Sequence, residues 1–483
     1  MCAVTEFIFP KKLLFINPSI YAKLSGRSLP KHIQRRETIS MEINVPDYAL
    51  AAIRLLEANG YEAYCVGGCV RDSLIGKNPS DWDICTNALP SQMQQVFCGC
   101  KTIETGLKHG TLTVIIDNNA VEITTYRSDG SYADHRRPDS VEFIRDLRGD
   151  LERRDFTINA MCYNPRSGLT DVFGGACDLK NKIIRCVGDP VRRFEEDALR
   201  ILRAIRFSSV LGFGIENDTK HAVFSQKELL RYISPERIFS ELKKLVCGRN
   251  ASAVLSEYGE VIAVFIPEII PCFGFPQNNP HHCYDVWEHI CRSVGFCRPQ
   301  PEIRLAMLLH DIAKPKMATT DENGINHFKK HQFAGSEISS EILRRLHCGN
   351  AAIKYVHDLI YEHDNRIPAE RKSVKRFISK YSFGFFMDYL EVRRADTYAQ
   401  SDYKRVEKLK NLDQLAIIAL ELDEENACMK ISDLNVDGND MIALGLRGQE
   451  IGTALKRILE AVISEEITND KNEIVEYARK VIL

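Results

Sequence analysis

The chain of 483 residues contains no long apolar run and no marked excess of charge. No stretch approaches the roughly 18 apolar residues of a membrane span, and the N-terminus lacks a long apolar segment before a small-residue cleavage site. Lys and Arg number 64 against 66 Asp and Glu, for a net charge of -2. We therefore expect no membrane association, and any nucleic-acid site must depend on local charge.

The 16 cysteines also lack a pattern. They are scattered from Cys2 to Cys428 without the paired C-x2-C units of a zinc site, and a secreted disulfide scaffold would be short and rich in cysteine. The composition, 44% hydrophobic and 27% charged, excludes disordered, collagen-like and coiled-coil classes. These features predict a cytoplasmic protein with reduced thiols and about three or four domains.

The periodicity changes along the chain. Helical spacing from Tyr48 to Asn59, with Gly60 as C-cap, leads into a short strand at 63–66. Further β-rich runs follow at 82–85, 111–116 and 121–126, with a hairpin turn predicted at Asp117–Ala120. After about residue 190 apolar residues recur mostly at 3.6 spacing. The pattern predicts an α+β fold, with a mixed-sheet head followed by an elongated all-α body.

The run VGGCVRDSLIGKNPSDWDI, residues 66–84, suggests a phosphate and metal site. Gly67 and Gly68 lie between a strand and a helix, where backbone N–H groups can meet a phosphate, and Arg71 adds a positive charge. Asp81 and Asp83 are two apart on a predicted strand, so both carboxylates point the same way. A solvated turn is the alternative for Asp-x-Asp alone, but after the glycine turn a pair of Mg²⁺ ions explains the carboxylates better.

These residues resemble the nucleotidyltransferase superfamily, specifically the class II tRNA nucleotidyltransferases (CCA-adding enzymes) and the bacterial poly(A) polymerases. The resemblance runs from about residue 48 to 250, and more loosely to the C-terminus. It implies that the glycine turn holds a triphosphate and that the aspartates hold metals, with a third carboxylate from a neighbouring strand. Glu122 is the candidate for that role, whereas Asp117 and Asp129 are expected in solvated turns.

The second family motif is RRDFTINAM, residues 153–161. Arg153 and Arg154 are predicted to pair with triphosphate oxygens, and Asp155 to accept a hydrogen bond from a ribose hydroxyl, with Asn159 also assigned to the nucleotide site. The alternative is a charged turn before a buried strand. The position of the motif after the aspartates favours the nucleotide role.

FEEDALRILRAIRF, residues 194–207, predicts one strong helix and matches the family's EDxxR element. Asp197 and Arg200 would share a face of that helix, where the carboxylate accepts and the guanidinium donates hydrogen bonds. Cytosine and adenine both show an amino donor beside a ring-nitrogen acceptor, so the pair would select CTP and ATP. An ordinary salt-bridged helix is the alternative, and Arg203 and Arg206 are either phosphate-facing or merely solvated.

The polar segment 126–143 reads as a loop, and in the family such a flexible loop is associated with the switch from adding C to adding A. Its apparent completeness favours full CCA addition. The segment 233–245 has Ser234 as N-cap and Pro235 at the first helical position, which indicates a mainly structural helix.

A different metal pattern lies between residues 281 and 396. His289, the adjacent His310 and Asp311, and Asp396 look like the HD superfamily, whose ligands follow the order His, His-Asp, Asp. His331 and His363 could complete a second metal position or be ordinary surface histidines. The domain could hydrolyse phosphate or cyclic phosphate at a damaged tRNA 3′ end with Mn²⁺, Ni²⁺ or Fe²⁺, or serve as a scaffold with an inherited metal site.

The resemblance implies template-independent CCA addition to tRNA from CTP and ATP, with Mg²⁺ and without an obligate protein partner. A poly(A) polymerase, a CC- or A-adding enzyme, or an HD phosphohydrolase with an inactive RNA-binding head remain alternatives. Five segments are expected: an extension at 1–40, a nucleotidyltransferase head at 41–175, a helical neck for nucleotide selection and RNA binding at 176–260, an HD domain at 261–404 and a tRNA-binding tail at 405–483. The extension is interpreted either as a segment outside the folded protein or as an artefact of the assigned start.

Overall fold

The structure is a computed structural model that describes residues 42–129 and 141–481. Its contacts divide the chain into two compact units. The N-terminal unit comprises residues 42–271 with 342–349, and the C-terminal unit comprises residues 272–341 with 350–481. The predicted extension at 1–40 and the centre of the predicted loop, residues 130–140, lie outside the described residues.

The first part of the N-terminal unit alternates strands with short helices. Its elements are α1 (Asp47–Ala58), β1 (Ala63–Val66), α2 (Gly68–Leu74), β2 (Asp83–Thr86), α3 (Pro90–Val96), β3 (Lys101–Ile103), β4 (Thr111–Ile116), β5 (Asn119–Thr125), β6 (Arg127–Asp129), β7 (Val141–Phe143), α4 (Leu147–Glu152), β8 (Met161–Asn164) and β9 (Gly168–Asp171).

Seven of these strands form one mixed sheet in the order β3-β4-β5-β2-β1-β8-β9. The neighbours pair antiparallel except β2 and β5, which run parallel with Asp83 opposite Glu122 and Ile84 opposite Ile123. Ile84 and Ile123 are fully buried, so the opposite face of the same strands is the one that carries Asp83 and Glu122. The β4–β5 hairpin is closed by Asp117 and Asn118, both at positive φ, as predicted from the turn residues.

The N-terminal unit continues as helices with two short strands. They are α5 (Gly175–Asn181), β10 (Ile183–Ile184), α6 (Pro190–Glu196), α7 (Leu199–Leu211), β11 (Gly214–Ile215), α8 (Asn217–Ser225), α9 (Pro235–Val246), α10 (Ala251–Glu257) and α11 (Gly259–Ile262). Helix α7 packs along α9, and a nearly continuous apolar face of α7 is buried. Helices therefore make up most of residues 176–260, with α6 and α7 as separate elements.

The C-terminal unit is built almost wholly of helices. Its elements are α12 (Val286–Phe296), α13 (Pro301–Leu309), α14 (Lys314–Met317), β12 (Thr319–Thr320), β13 (Asn326–His327), α15 (His331–Arg345, of which 331–341 belong to this unit), α16 (Asn350–Glu362), α17 (Arg371–Lys380), α18 (Phe383–Tyr398), α19 (Arg405–Glu424), α20 (Gly438–Ala443), α21 (Gln449–Ile463) and α22 (Lys471–Val481). Helices α12, α13 and α18 pack on one another, which brings the ends of α13 and α18 to one place in the unit.

Two expectations about the environment can be compared with the fold. Over the described part of the chain, no helix is both long and apolar enough to cross a membrane. The cysteines of the described residues are free thiols. The mixed-sheet head and helical body expected from the periodicity are confirmed.

Candidate functional site: a carboxylate cluster with a nucleotide cleft, and a second metal centre

Three acidic residues lie on one face of the head sheet. Asp83 opens β2 and is opposite Glu122 of β5, while Asp81 precedes Asp83 by two residues. Trp82 between the two aspartates is 4% exposed. The pairing of β2 with β5 places Asp83 and Glu122 on one face, and the negative charge of Asp81 acts on Asp83 from nearby.

Among the described residues, no salt bridge neutralises the carboxylates of this cluster. Burial, together with the negative charges of Asp81 and Glu122, raises the pKa of Asp83 to about 6, while Arg154 acts in the opposite direction. A raised pKa means that the charged form of the acid has a higher free energy here than in water, and at neutral pH Asp83 is mostly in that form. A divalent cation bound by these oxygens would neutralise the negative charge, and carboxylate oxygens are ligands that Mg²⁺ prefers.

The glycine turn lies beside the cluster. Gly67 precedes α2 with φ of 80°, a left-handed conformation that favours glycine. A Cβ atom at Gly67 would lie 3.2 Å from Nη1 of Arg154, and one at Gly68 would lie 3.7 Å from Nη2 of Arg71. Both predicted arginines thus border the turn, and the two glycines leave the space in front of them open.

Arg153 and Arg154 are held by a residue that sequence reasoning missed. Asp150 is fully buried and accepts hydrogen bonds from Nε of Arg153 at 2.9 Å and Nη2 of Arg154 at 3.2 Å. Although burial opposes ionisation, these two guanidinium groups lower the pKa of Asp150. The carboxylate therefore fixes the direction of both guanidinium groups. Its position three and four residues before the arginines was the available signal.

Asp155 and Asn159 form a network with Arg71. Nη1 of Arg71 donates to Oδ1 of Asn159 at 2.6 Å, and Nδ2 of Asn159 donates to Oδ1 of Asp155 at 3.0 Å. Nε of Arg203 donates to the other oxygen of Asp155 at 2.7 Å. Burial opposes ionisation of Asp155, but Arg203 and the hydrogen bond from Asn159 lower its pKa to about 2. The network connects the glycine turn to the second motif.

The predicted continuous helix from 194 to 207 is wrong at Asp197. Helix α6 ends at Glu196, Asp197 has extended backbone angles of -137° and 101°, and α7 begins at Leu199. The apolar periodicity continues through the break, which is why the pattern gave no sign of it. Asp197 and Arg200 therefore do not share a face of one helix.

The partners of the two residues differ from the prediction as well. Nη2 of Arg237, from α9, lies 3.0 and 3.3 Å from the two oxygens of Asp197. Nη1 of Arg200 donates to Oε2 of Glu196 at 2.8 Å, and its Nη2 donates to the carbonyl oxygen of Arg153 at 2.8 Å. In this arrangement the guanidinium beside Asp197 belongs to Arg237.

Arg203 and Arg206 are neither phosphate-facing nor merely solvated. Arg203 is paired with Asp155, and Arg206 lies 2.5 Å from Glu241 of α9 with its guanidinium over the ring of Phe207. Their threefold spacing on α7 was visible in the sequence, but the partners are 35 or more residues away. Only the packing of α7 on α9 and on the second motif identifies them.

The C-terminal unit gathers six predicted or suspected metal ligands at one place. His289 lies on α12, His310 and Asp311 follow α13, and Asp396 lies near the end of α18. Two sets each bring their donor atoms within 4.8 Å of one another. They are His289, His310 and Asp396, and Asp311, His331 and His363. His331 and His363 are 6% and 3% exposed, so the structure excludes the alternative of ordinary surface histidines.

The four imidazoles are oriented for ligation. Nδ1 of each ring lies 2.6 to 3.2 Å from a backbone carbonyl oxygen, a contact that fixes the hydrogen on Nδ1 and leaves Nε2 as an acceptor. Yet Nε2 of His289 is 3.2 Å from Nε2 of His310, and Nε2 of His331 is 3.1 Å from Nε2 of His363. Two acceptors at that distance repel each other unless a cation lies between them and the carboxylates.

Asp311 joins the two sets. Its Oδ2 lies 3.2 Å from Nε2 of both His289 and His310, and its Oδ1 lies 3.2 Å from Nε2 of His331. The residue is 1% exposed. Nζ of Lys314 is 2.7 Å from Oδ2. The donor set suits two divalent ions with one shared carboxylate.

Comparison with known proteins relates both units to one family. Residues 63–185 match the model described as "Poly A polymerase head domain", 212–270 match one for an RNA and SrmB binding site of polymerase A, and 331–478 match "tRNA nucleotidyltransferase domain 2".

Individual relatives extend the match along the chain. A CCA-adding enzyme of Geobacillus thermodenitrificans is 47% identical over 264 residues, which span 53% of this chain and 65% of the relative. One from Lactiplantibacillus plantarum is 31% identical over 440 residues, 89% of this chain and 95% of the relative. The crystal structure of the Bacillus stearothermophilus CCA-adding enzyme in complex with CTP has 29% identity and a TM-score of 0.67, covering 90% of this chain and 96% of that one. With such a match over most of both lengths, and with three carboxylates on one face of a nucleotidyltransferase sheet, the chain belongs to the family of CCA-adding enzymes.

Proposed function

We propose that this protein adds CCA to the 3′ end of tRNA from CTP and ATP, without a nucleic-acid template and with release of pyrophosphate. One observation carries the proposal: Asp83 and Glu122 are opposite each other on parallel strands, with Asp81 two residues away, beside the glycine turn. The family supports the substrate, since its relatives are CCA-adding enzymes and one of them was solved with CTP.

The three carboxylates are the proposed ligands of Mg²⁺. The raised pKa of Asp83 supports a cation at this place, because the three acids lie close together and form no salt bridge with any described residue. When bound, the metal would offset the charge of the triphosphate and the negative charge that develops on the attacking 3′ oxygen of the tRNA.

The phosphate-binding side of the site is assigned to Gly67, Gly68, Arg71 and the pair Arg153 and Arg154. The glycines allow a phosphate to approach the backbone closely, since a Cβ atom would fill the space against Arg154. Asp150 holds the two arginines in place, so little conformational entropy is lost when they bind oxygen atoms. Asp155 and Asn159 orient Arg71 and offer the ribose a nearby acceptor.

Base selection is assigned to Asp197. Its oxygens accept hydrogen bonds, so an exocyclic amino group of cytosine or adenine is a suitable partner, whereas a carbonyl of guanine or uracil is not. Arg237 holds the carboxylate in position. Arg200 contributes to the base only if it exchanges its contacts with Glu196 and the backbone of Arg153, so its predicted role requires a rearrangement.

The decisive experiment supplies tRNA that lacks its CCA end with labelled CTP and ATP, separately and together. Addition of two C residues from CTP, followed by one A when ATP is present, is the expected result. Extension with ATP alone would favour a poly(A) polymerase, and arrest after CC would favour a partial activity.

We also propose a metal-dependent phosphohydrolase in the C-terminal unit, with His289, His310, Asp311 and Asp396 as HD-type ligands and His331 and His363 as further ligands. The supporting observation is that the Nε2 atoms of the histidines lie in two close pairs beside the carboxylate of Asp311. Nε2 of His289 is 3.2 Å from that of His310, and Nε2 of His331 is 3.1 Å from that of His363. Mn²⁺, Ni²⁺ or Fe²⁺ suits imidazole ligands, and such ions activate water toward a phosphoester.

Measurements of Mn²⁺ binding and of phosphate release distinguish a catalytic metal centre from a scaffold with an inherited metal site. We expect close to two equivalents of Mn²⁺ to bind and phosphate to be released from RNA with a 3′-terminal or cyclic phosphate. Binding of metal without any hydrolysis would favour a structural site.

The free thiols of the described residues support the cytoplasm as the compartment.

A further inference from the structure

The mouth of the second metal centre is a cavity of about 280 Å³ whose lining extends beyond the ligands. Besides the metal-binding residues it is bordered by Lys314, Lys329, Arg366 and Lys408, and among the described residues that line it Asp364 is the one carboxylate not assigned to a metal. Cations outnumber anions around this opening, which suits a negatively charged ligand.

Lys408 is one of the cations that border this cavity. It lies on α19, far along the chain from the HD ligands, and is half-buried. Its Nζ contacts Oε1 of Gln400 at 2.5 Å and Nδ1 of His281 at 3.2 Å, both of which are neutral acceptors. No carboxylate of the described chain lies within ion-pair distance of Lys408, whereas the buried Lys314 and Lys375 face Asp311 at 2.7 Å and Glu465 at 2.9 Å.

The surroundings hold Lys408 in this place rather than relieve its charge. Nε2 of Gln400 donates to Oδ2 of the metal ligand Asp396 at 2.9 Å, so one amide side chain connects the lysine to the metal centre. The backbone N–H of Ser401 donates to the carbonyl oxygen of His281, which fixes the other partner of the lysine. Burying a cation without a counter-ion is unfavourable unless the counter-ion arrives with a ligand.

We propose that Lys408, assisted by Arg366 at the rim of the cavity, binds the phosphate group of a ribose phosphoester that is hydrolysed at the second metal centre. The inference rests on the phosphohydrolase proposed above and assigns the substrate-binding side of that site. In the reaction, the oxygen of water bonds to phosphorus, the bond from phosphorus to the ribose oxygen breaks, and the ribose oxygen leaves with a proton as a hydroxyl. Lys408 donates to a phosphate oxygen that does not take part in either bond, so its contribution is to binding.

The test uses the full-length protein loaded with Mn²⁺ and compares the wild type with Lys408→Met, Lys408→Arg and the control Lys410→Met. Lys410 is exposed on the same helix, so its substitution changes the net charge equally. Calorimetric titration with inorganic phosphate should show affinity at least tenfold weaker in Lys408→Met, within threefold of wild type in Lys408→Arg, and unchanged in Lys410→Met. The same variants should bind as much Mn²⁺ as the wild type and incorporate CTP and ATP normally, which also shows that they are folded.

Hydrolysis then distinguishes the source of the phosphate. An RNA hairpin with a 3′ phosphate and free 3′-AMP are compared, and Lys408→Met should raise KM about tenfold with kcat within threefold for whichever is hydrolysed. Equal phosphate affinity of Lys408→Met and wild type, or no phosphate binding by the Mn²⁺-loaded wild type, would overturn the assignment. Binding of phosphate that depends on Lys408, without hydrolysis of either compound, would instead support the anion site and refute the phosphohydrolase.

Discussion

The contact of Arg237 with Asp197 predicts that a residue of α9 controls nucleotide selection. Replacing Arg237 by Met removes both hydrogen bonds to the carboxylate, and leaves the backbone N–H of Leu199, 3.1 Å from Oδ1, as the partner that still holds it. A hydrogen bond to a charged group contributes about 1.5 to 3 kcal/mol, and the partial exposure of this pair favours the lower figure. About 1.5 kcal/mol corresponds to roughly a tenfold effect.

The assay measures incorporation of each labelled nucleoside triphosphate into tRNA ending before CCA and into tRNA ending in CC. We expect Arg237→Met to reduce the preference for CTP and ATP over UTP and GTP about tenfold in kcat/KM, with part of the preference restored in Arg237→Lys. Arg231→Met, which removes an exposed arginine paired with Glu228, is the matched control and should change nothing. Unaltered discrimination in a folded Arg237→Met protein would refute the reasoning, and a loss found only in Arg200→Met would return the role to the pair predicted from the sequence.

Further expectations concern the metal sites and the packing of the head. Asp83→Asn should lower kcat for both nucleotides at least 1,000-fold, roughly 4 kcal/mol, whereas Asp117→Asn in the β4–β5 turn should leave kcat unchanged. Because burial and neighbouring acids raise the pKa of Asp83 to about 6, the metal-free protein should lose stability as pH rises from about 4 to 6. In differential scanning calorimetry, Mg²⁺ should therefore raise Tm more at pH 7 than at pH 5. The Asp83→Asn variant should not show this difference between the two pH values. Gly175→Ala places a Cβ 2.2 Å from a backbone oxygen and should cost roughly 2–3 kcal/mol in urea unfolding, while Gly214→Ala, with open space around it, should cost under about 1 kcal/mol. Asp311→Asn should abolish Mn²⁺ binding by elemental analysis and leave nucleotide incorporation intact, and loss of both activities would contradict separate sites.

Local patterns were enough to predict much of the head. The strand at 63–66, the β4–β5 hairpin and the position of the carboxylates follow from residue alternation and turn chemistry, and the structure confirms that these strands belong to one mixed sheet. The pairing of β2 with β5 could not be derived in this way, because the paired residues are 39 positions apart and parallel pairing depends on the whole sheet. Glu122 was identified through the resemblance, and its position opposite Asp83 is consistent with that role.

The errors concern contacts between distant segments. Asp197 interrupts a helix although the apolar repeat continues through it. Its backbone N–H still donates to the carbonyl oxygen of Arg193, but its side chain contacts Arg237 of α9. Arg237 lies in a segment that the sequence marked as mainly structural. His331 and His363 were undecided because a histidine's burial depends on which helices pack around it, and the order of residues along the chain does not contain that information.

The shared carboxylate of Asp311 has a consequence for how the proposed two-metal centre can change in evolution. In that proposed centre, substitution at His331 or His363 would remove a ligand from one ion alone and leave a mononuclear centre with its other donors intact. Substitution at Asp311 would empty both positions in a single step, with no half-occupied stage between. Related proteins that bind only one ion are therefore expected to keep the aspartate. Related proteins that lack the aspartate are expected to bind no metal at this place, even where the four histidines remain.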